Sequence, residues 1–204
     1  MAEENPNSRL ETFSDGVFAI ALTLLIIDIK LPSSVTINNT AEFWFALKHI
    51  APSIFAFVLS FILILITWVN HHACLKLVNK SSASFIYSNG FLLLTVVFLP
   101  FPTALMGEYI LTDHAAPAVC LYNAIVAIQG VAWVLLCGTA LENQLTKNEK
   151  STMQMHANRR NGYFAFMVYS LLAIIAFWFP LTIAVVTTLT WIFWLIFGIN
   201  IKHE

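Results

Sequence analysis

Ile54-Phe55-Ala56-Phe57-Val58-Leu59-Ser60-Phe61-Ile62-Leu63-Ile64-Leu65-Ile66-Thr67-Trp68-Val69 is the stretch that decides the fold. It sits inside a run from Pro52 to Val78 with no acidic residue and no Lys or Arg before Lys76. A helix of about 20 such residues crosses the roughly 30 Å hydrocarbon core of a bilayer. Outward from it, five more apolar runs can be marked, over residues 10–29, 85–110, 116–141, 163–179 and 181–199. The chain has 204 residues, 59% of them hydrophobic and 10% charged. Soluble domains carry about 25% charged residues, so there is too little polar surface here to face water on all sides. The reading is an all-α membrane protein with six transmembrane helices forming a single unit over residues 1–204, with no soluble domain attached and no internal repeat.

Several details refine that reading. Pro100 and Pro102 should kink or break the third span, because proline removes a backbone donor and clashes with the preceding turn. Spans five and six are parted by little more than Pro180 and should form a tight antiparallel hairpin. Between spans one and two, Phe43 to Ile50 reads as a short interfacial helix, with Phe43, Trp44 and Phe45 suited to the headgroup zone. With the N-terminus in the cytoplasm, Arg9, Lys76, Lys80, Lys147, Lys150, Arg159, Arg160 and Lys202 fall inside and only Lys30 and Lys48 outside. That bias obeys the positive-inside rule and puts both termini in the cytoplasm. The longest polar stretch, Glu142 to Asn161, is then expected as a cytoplasmic loop. The acidic start, Met1 to Ser8, has no basic n-region, so no cleavable signal peptide is expected.

Composition also excludes functions. A net charge of −1 gives no footing for nucleic acid. Cys74, Cys120 and Cys137 lie in apolar runs without ligand spacing and read as core residues, not as a disulfide or zinc framework. His71 and His72 are adjacent on a helix and point about 100° apart, which suits hydrogen bonding better than one shared ion. No metal or cofactor is expected. No His-Glu-x-x-His, Gly-x-Ser-x-Gly or paired intramembrane aspartate is present, so the chain does not read as an enzyme.

The first span carries the functional signal. Ser8-Arg9-Leu10-Glu11 has the form of a capping box, serine before the helix and glutamate three residues on. Phe13-Ser14-Asp15-Gly16-Val17-Phe18-Ala19-Ile20 follows at once. A carboxylate this close to hydrocarbon is expensive and is a functional candidate by default. At 100° per residue, Phe13, Gly16, Ile20, Thr23, Leu24 and Ile27 share one arc, while Ser14 and Asp15 point away toward neighbouring helices. Any aliphatic span would give a similar stripe. Thr23 can equally bond its own backbone one turn earlier. In span two, Trp68, Asn70, His71 and His72 form a second polar cluster with Thr67, and span three opens with Tyr87, Ser88 and Asn89. If the first three spans pack together, Arg9, Ser14 and Asp15 find partners in Asn89 and in His71 or His72.

Arg9-x-x-x-Phe13-Ser14-Asp15, running on as Gly-Val-Phe-Ala-Ile-Ala-Leu-Thr-Leu-Leu, resembles the signature of the transmembrane protein 175 family of potassium channels. The likeness covers about 20 residues closely and fits the six-helix unit throughout; a lone unit is similar to the bacterial and archaeal members. The resemblance implies a homotetramer in which the first helices line a central pore, with a constriction at Ile20, Leu24 and Ile27 and a selectivity role for Thr23. It also implies that a histidine and an asparagine tie down the Arg9-Phe13-Ser14-Asp15 motif, for which His71, His72 and Asn89 are the candidates. The expected function is passive K+ permeation across the cell membrane, in a lipid bilayer, with H+ as a second permeant ion. The sequence agrees in lacking a Thr-Val-Gly-Tyr-Gly filter. The alternative class is a secondary ion-coupled transporter, which would call for broken helices and inverted repeats.

Overall fold

The computed structural model describes residues 7–30 and 37–200, with side chains described as far as Ile196. Lys202 lies outside the described residues. Eight helices are present among them: α1 (Ser8–Leu24), α2 (Thr40–His49), α3 (Ala51–Leu75), α4 (Ala83–Phe98), α5 (Pro100–Tyr109), α6 (Ala115–Glu142), α7 (Glu149–Ile175) and α8 (Pro180–Asn200). Three stretches are long and apolar enough to cross a membrane, namely α3, α4 with α5 taken together, and α6; α8 contributes a shorter apolar helix.

Helix ends differ from the sequence expectation in instructive ways. The helix α1 starts at Ser8 after Asn7, with no side-chain cap bond, so the expected Ser8–Glu11 capping box is replaced by a plain start one residue earlier. It ends at Leu24 and not near Ile29. Beyond it, Ile27 N donates to Leu24 O at 3.1 Å and Ile29 N to Ile26 O at 3.2 Å. These are i→i−3 bonds, a tightened end turn that satisfies orphan carbonyls. A reciprocal cap starts α2 instead: Glu42 N donates to Asn39 Oδ1 at 2.9 Å, and Asn38 N to Glu42 Oε2 at 2.7 Å. Phe43, Trp44 and Phe45 of α2 are all exposed, and no residue of α2 is buried.

The proline break falls where expected. Helix α4 stops at Phe98 and α5 starts on Pro100, whose missing N–H is harmless in a first turn. Leu99 bridges the two, donating to Val96 O, while Thr103 donates both its N–H (3.1 Å) and its hydroxyl (2.7 Å) to Leu99 O. The polar stretch after α6 differs from the expected loop. Residues 149–161 are helical, because Asn148 Oδ1 caps Ser151 N at 2.9 Å and launches α7 far ahead of its apolar half. Only residues 143–148 connect the two helices. There Gln144 adopts φ 52°, Leu145 N reaches back to Ala140 O and Gln144 N to Leu141 O. That is a Schellman ending with a non-glycine in the left-handed position. The connection then pairs with the α3–α4 connection: Asn79 N donates to Leu145 O at 3.0 Å, and Lys147 N to Leu77 O at 2.9 Å.

The inside and outside of this bundle suit a bilayer. Large apolar side chains such as Phe55, Phe61, Leu94, Leu171, Phe177, Leu189 and Phe193 are exposed along the helices. In water such a surface would aggregate, whereas lipid covers it at no cost. Polar residues lie within. Ser60 Oγ shares a hydrogen with Thr103 Oγ1 at 2.6 Å and lies 3.2 Å from Tyr122 OH, and Thr187 donates to Asn123 Oδ1 at 2.9 Å. The hairpin of α7 and α8 closes on a Tyr169–Thr190 hydroxyl pair and on a Tyr169–Trp191 stack with centroids 5.2 Å apart. Interhelical bonds of this kind, together with small residues, hold membrane helices together.

Close approach of α6 and α7 needs glycine. A Cβ on Gly130 would stand 2.8 Å from Phe166 N and 3.0 Å from Gly162 O. Gly130→Ala therefore forces the helices apart, at an expected cost of about 1–3 kcal/mol, seen as a lower melting midpoint of the detergent-solubilised protein. An unchanged midpoint would show that the crossing yields freely. Gln144→Gly should shift the midpoint upward, since a left-handed non-glycine residue costs about 1–2 kcal/mol.

Candidate pore helix and its anchor

Helix α1 has two unlike faces. Ser14, Phe18, Ala21 and Leu25 are buried, at a spacing of four, three and four residues. That stripe packs against α3 and α4, where Phe18 meets the His71 ring at 5.3 Å between centroids. On the other face Phe13 is 62% exposed, Ile20 59%, Leu24 38% and Ile27 71%, all in one chain taken alone. Gly16 lies on this face with open space where a Cβ would be. Thr23 is exposed there as well, and its hydroxyl donates to Ile20 O at 2.9 Å. One hydroxyl proton is thus committed to the backbone, while the oxygen lone pairs stay available outward.

Behind the exposed face runs a one-way chain of donors. His71 Nε2 lies 2.6 Å from Asn89 Oδ1. Asn89 Nδ2 donates to Ser14 Oγ at 3.0 Å. Ser14 Oγ donates to Leu10 O at 2.8 Å. Because the amide oxygen of Asn89 can only accept, the proton of this imidazole sits on Nε2. His71, Asn89 and Ser14 are each at most 1% exposed. Three helices, α1, α3 and α4, are therefore joined by side chains whose alternatives in hydrocarbon would be unpaired polar groups.

Asp15 and Trp68 form the second tie. Trp68 Nε1 donates to Asp15 Oδ1 at 2.8 Å. Trp68 also stacks on His72, with centroids 6.2 Å apart and rings 23° from parallel. So His71 makes the bond to the motif asparagine, and His72 braces the indole that holds the carboxylate. Arg9 does not join either chain; it is exposed near the start of α1. The physical reason is its place in the first turn, where the side chain reaches solvent before it reaches His71. The sequence places Trp68 in the polar cluster of span two, and the structure pairs it with Asp15. Its position one turn before His71 and His72 was the available signal.

Past Leu24 the chain is tied only lightly. Lys30 Nζ pairs with Glu108 Oε2 at 3.1 Å, both side chains being well exposed. Exposed pairs contribute little, about 0–1 kcal/mol. Between this end of α1 and helices α3 and α5 lies an open cleft of about 320 Å³, floored by Leu25, Phe57 and Phe101 and rimmed by Asp28 and Glu108.

Comparison with known proteins bears on this arrangement. Residues 9–100 match the family described as endosomal/lysosomal potassium channel TMEM175. A potassium channel of Chamaesiphon minutus is 46% identical over 123 residues, 60% of each chain, so this chain matches less than two thirds of that relative. A potassium channel of Chryseobacterium sp. (strain P1-3) is 30% identical over 177 residues, covering 84% of this chain and 83% of the relative. The crystal structure of a lysosomal potassium-selective channel TMEM175 homolog from Chamaesiphon minutus superposes with a TM-score of 0.83 at 33% identity, over 93% of this chain and 96% of that one. With these matches and its exposed apolar helices, the protein is a multi-pass membrane protein and not an enzyme.

The anchor makes a stability prediction. Ser14→Ala leaves the buried Asn89 amide without an acceptor, so it should cost about 1–3 kcal/mol and lower the melting midpoint. Asp15→Asn keeps an acceptor for Trp68 Nε1 and should stay within about 0.5 kcal/mol of wild type. The reverse ranking would mean that Asp15, not Ser14, anchors the helix.

Proposed function

We propose, since this chain belongs to the TMEM175 family, that it forms a potassium-permeable channel whose pore is lined by α1. Four copies surround the axis, each presenting the face that holds Phe13, Ile20, Thr23, Leu24 and Ile27. The observation that carries the reading is the division of α1: an apolar face left uncovered by its own chain, opposite a face bonded shut through Ser14, Asn89 and His71. A face meant only for lipid would need no such fixed backing.

Ile20 and Leu24 would narrow the path on consecutive turns of the helix, and Ile27 would narrow it in the tightened turn beyond. Rings of apolar side chains exclude water when close together and admit it when they part, so the constriction gates by dewetting. Thr23, between Ile20 and Leu24, offers its oxygen to a permeating ion and contributes selectivity for K+; its hydroxyl also makes H+ a second permeant candidate. Six crossings follow from α1, α3, α4 with α5, α6, the apolar half of α7, and α8, with both termini in the cytoplasm and the protein in the cell membrane. Likeness to a potassium-selective channel favours this over an ion-coupled transporter.

The test is potassium flux into proteoliposomes. Ile20→Asn should raise flux several-fold by wetting the constriction, and Thr23→Ala should change the ratio of potassium to sodium flux. Flux that persists unaltered in both variants would move the pore away from α1. No flux from wild type under any ionic condition would overturn the channel reading.

A further inference from the structure

Three sulfur atoms meet at the end of the bundle where the α3–α4 and α6–α7 connections pair. Cys74 from α3, Cys137 from α6 and Met155 from α7 are each 0% exposed and belong to one packed cluster with Val78, Phe85, Leu136 and Leu145. Cys74 Sγ lies 3.7 Å from Met155 Sδ, and Cys137 packs into the same buried cluster. The third cysteine, Cys120, stands elsewhere on α6 and has no part in the group.

The Cys74–Met155 separation suits a shared ion. Two sulfurs each bound at about 2.3 Å to one metal stand roughly 3.8–4.0 Å apart in tetrahedral or trigonal geometry. Among the described residues no set of three His, Cys, Asp or Glu side chains could hold a metal, so hard and borderline ions have no full donor set. Two thiols with a thioether are a soft set, of the kind that selects monovalent copper.

Charge points the same way. Two thiolates around a monovalent ion leave a net charge of −1, which burial would penalise unless it were offset. Arg159 lies one turn beyond Met155 on α7. Its guanidinium carbon is 3.6 Å from where a Cβ on Gly138 would stand, and Gly138 adjoins Cys137. Arg159 Nε is buried with no hydrogen-bond partner, and the guanidinium otherwise faces the Tyr163 ring at 6.0 Å. Glycine at 138 leaves the space that this side chain occupies.

We propose that Cys74, Cys137 and Met155 form a binding site for a soft monovalent metal ion, Cu(I) or Ag(I), with Arg159 balancing its charge. Binding replaces two S–H bonds by two metal–sulfur bonds and releases two protons, with no change of oxidation state. The bound ion joins α3, α6 and α7 at the end where their connections already pair. The site is independent of the channel reading, since none of its residues faces the exposed side of α1.

The probe is Cu(I), supplied anaerobically to the full-length detergent-solubilised protein in competition with a colorimetric Cu(I) chelator. Wild type should retain one ion per chain, release two protons per ion in weak buffer and melt higher with the ion than without. Cys137→Ser should abolish retention, Met155→Leu should weaken it at least several-fold while keeping side-chain volume, and Cys120→Ser should leave it unchanged. Absence of retention in wild type overturns the proposal. So does wild-type retention in both Cys137→Ser and Met155→Leu, or loss of the ion in Cys120→Ser alone. Should Cys137→Ser fail to fold, Met155→Leu against Cys120→Ser decides the matter.

Discussion

The requirement that every backbone N–H and C=O be paired within the chain governs this structure more than any other single condition. Hydrocarbon offers no partner, and an unpaired group costs several kcal/mol. The described residues accordingly form helices, and each irregularity carries its own repair. At Pro100 the break is confined to one residue because Leu99 turns to Val96, and Thr103 supplies two donors to the Leu99 carbonyl. At the end of α6 the Schellman bonds collect the last carbonyls before the chain leaves the helix. Helix–helix contact is then free to use polar groups sparingly, as at Ser60–Thr103 and Asn123–Thr187, where both members are buried and both are satisfied.

The same requirement explains why Ser14 and Asn89 are informative. A serine inside an apolar helix can satisfy its proton with its own backbone, and Ser14 does so through Leu10 O. What the helix cannot supply is a donor for the remaining lone pairs. Asn89 supplies it, and Asn89 then needs a donor of its own, which His71 provides. The chain closes because each group gives in one direction only. Flipping the Asn89 amide, or turning the Ser14 hydroxyl toward it, would set two donors face to face, and the other His71 tautomer would set two acceptors face to face.

Much of this was legible in the sequence. The apolar run through Ile54–Val69 marked α3, the pair Pro100 and Pro102 marked the break, and Phe13-Ser14-Asp15 marked the helix proposed to line the pore. The division of α1 into two faces followed from its period, and Asn89 with a histidine was foreseen as the partner of Ser14. What the sequence left open was geometric. Which of His71 and His72 bonds Asn89 depends on a rotation of α3 by one residue. Trp68 as the holder of Asp15 depends on the crossing of α1 and α3. The early start of α7 was hidden because polar residues 149–161 read as loop by composition, although a cap at Asn148 and good helix formers make them helical. The convergence of Cys74, Cys137 and Met155 was hidden for the same reason: it joins residues 63 and 18 positions apart, and no spacing rule spans such gaps.

The strength of the ties along α1 is uneven, and the unevenness has a direction. Near its start the helix is held by buried bonds at Ser14, worth about 1–3 kcal/mol to lose, and by the indole at Asp15. From Leu24 onward the hydrogen bonds tighten to i→i−3, whose geometry is poorer, and the only described ion pair is the exposed Lys30–Glu108 contact. An open cleft lies behind this end, so its side chains have room to withdraw. Motion of low cost therefore belongs to the Leu24–Lys30 end, while the Ser14 end resists. The constriction proposed at Ile20, Leu24 and Ile27 would straddle that boundary, with Ile20 on the firm side and Ile27 on the loose one. Widening such a path does not require α1 to swing as a rigid rod; yielding at its weakly tied end displaces Ile27 first and leaves the Ser14 anchor whole.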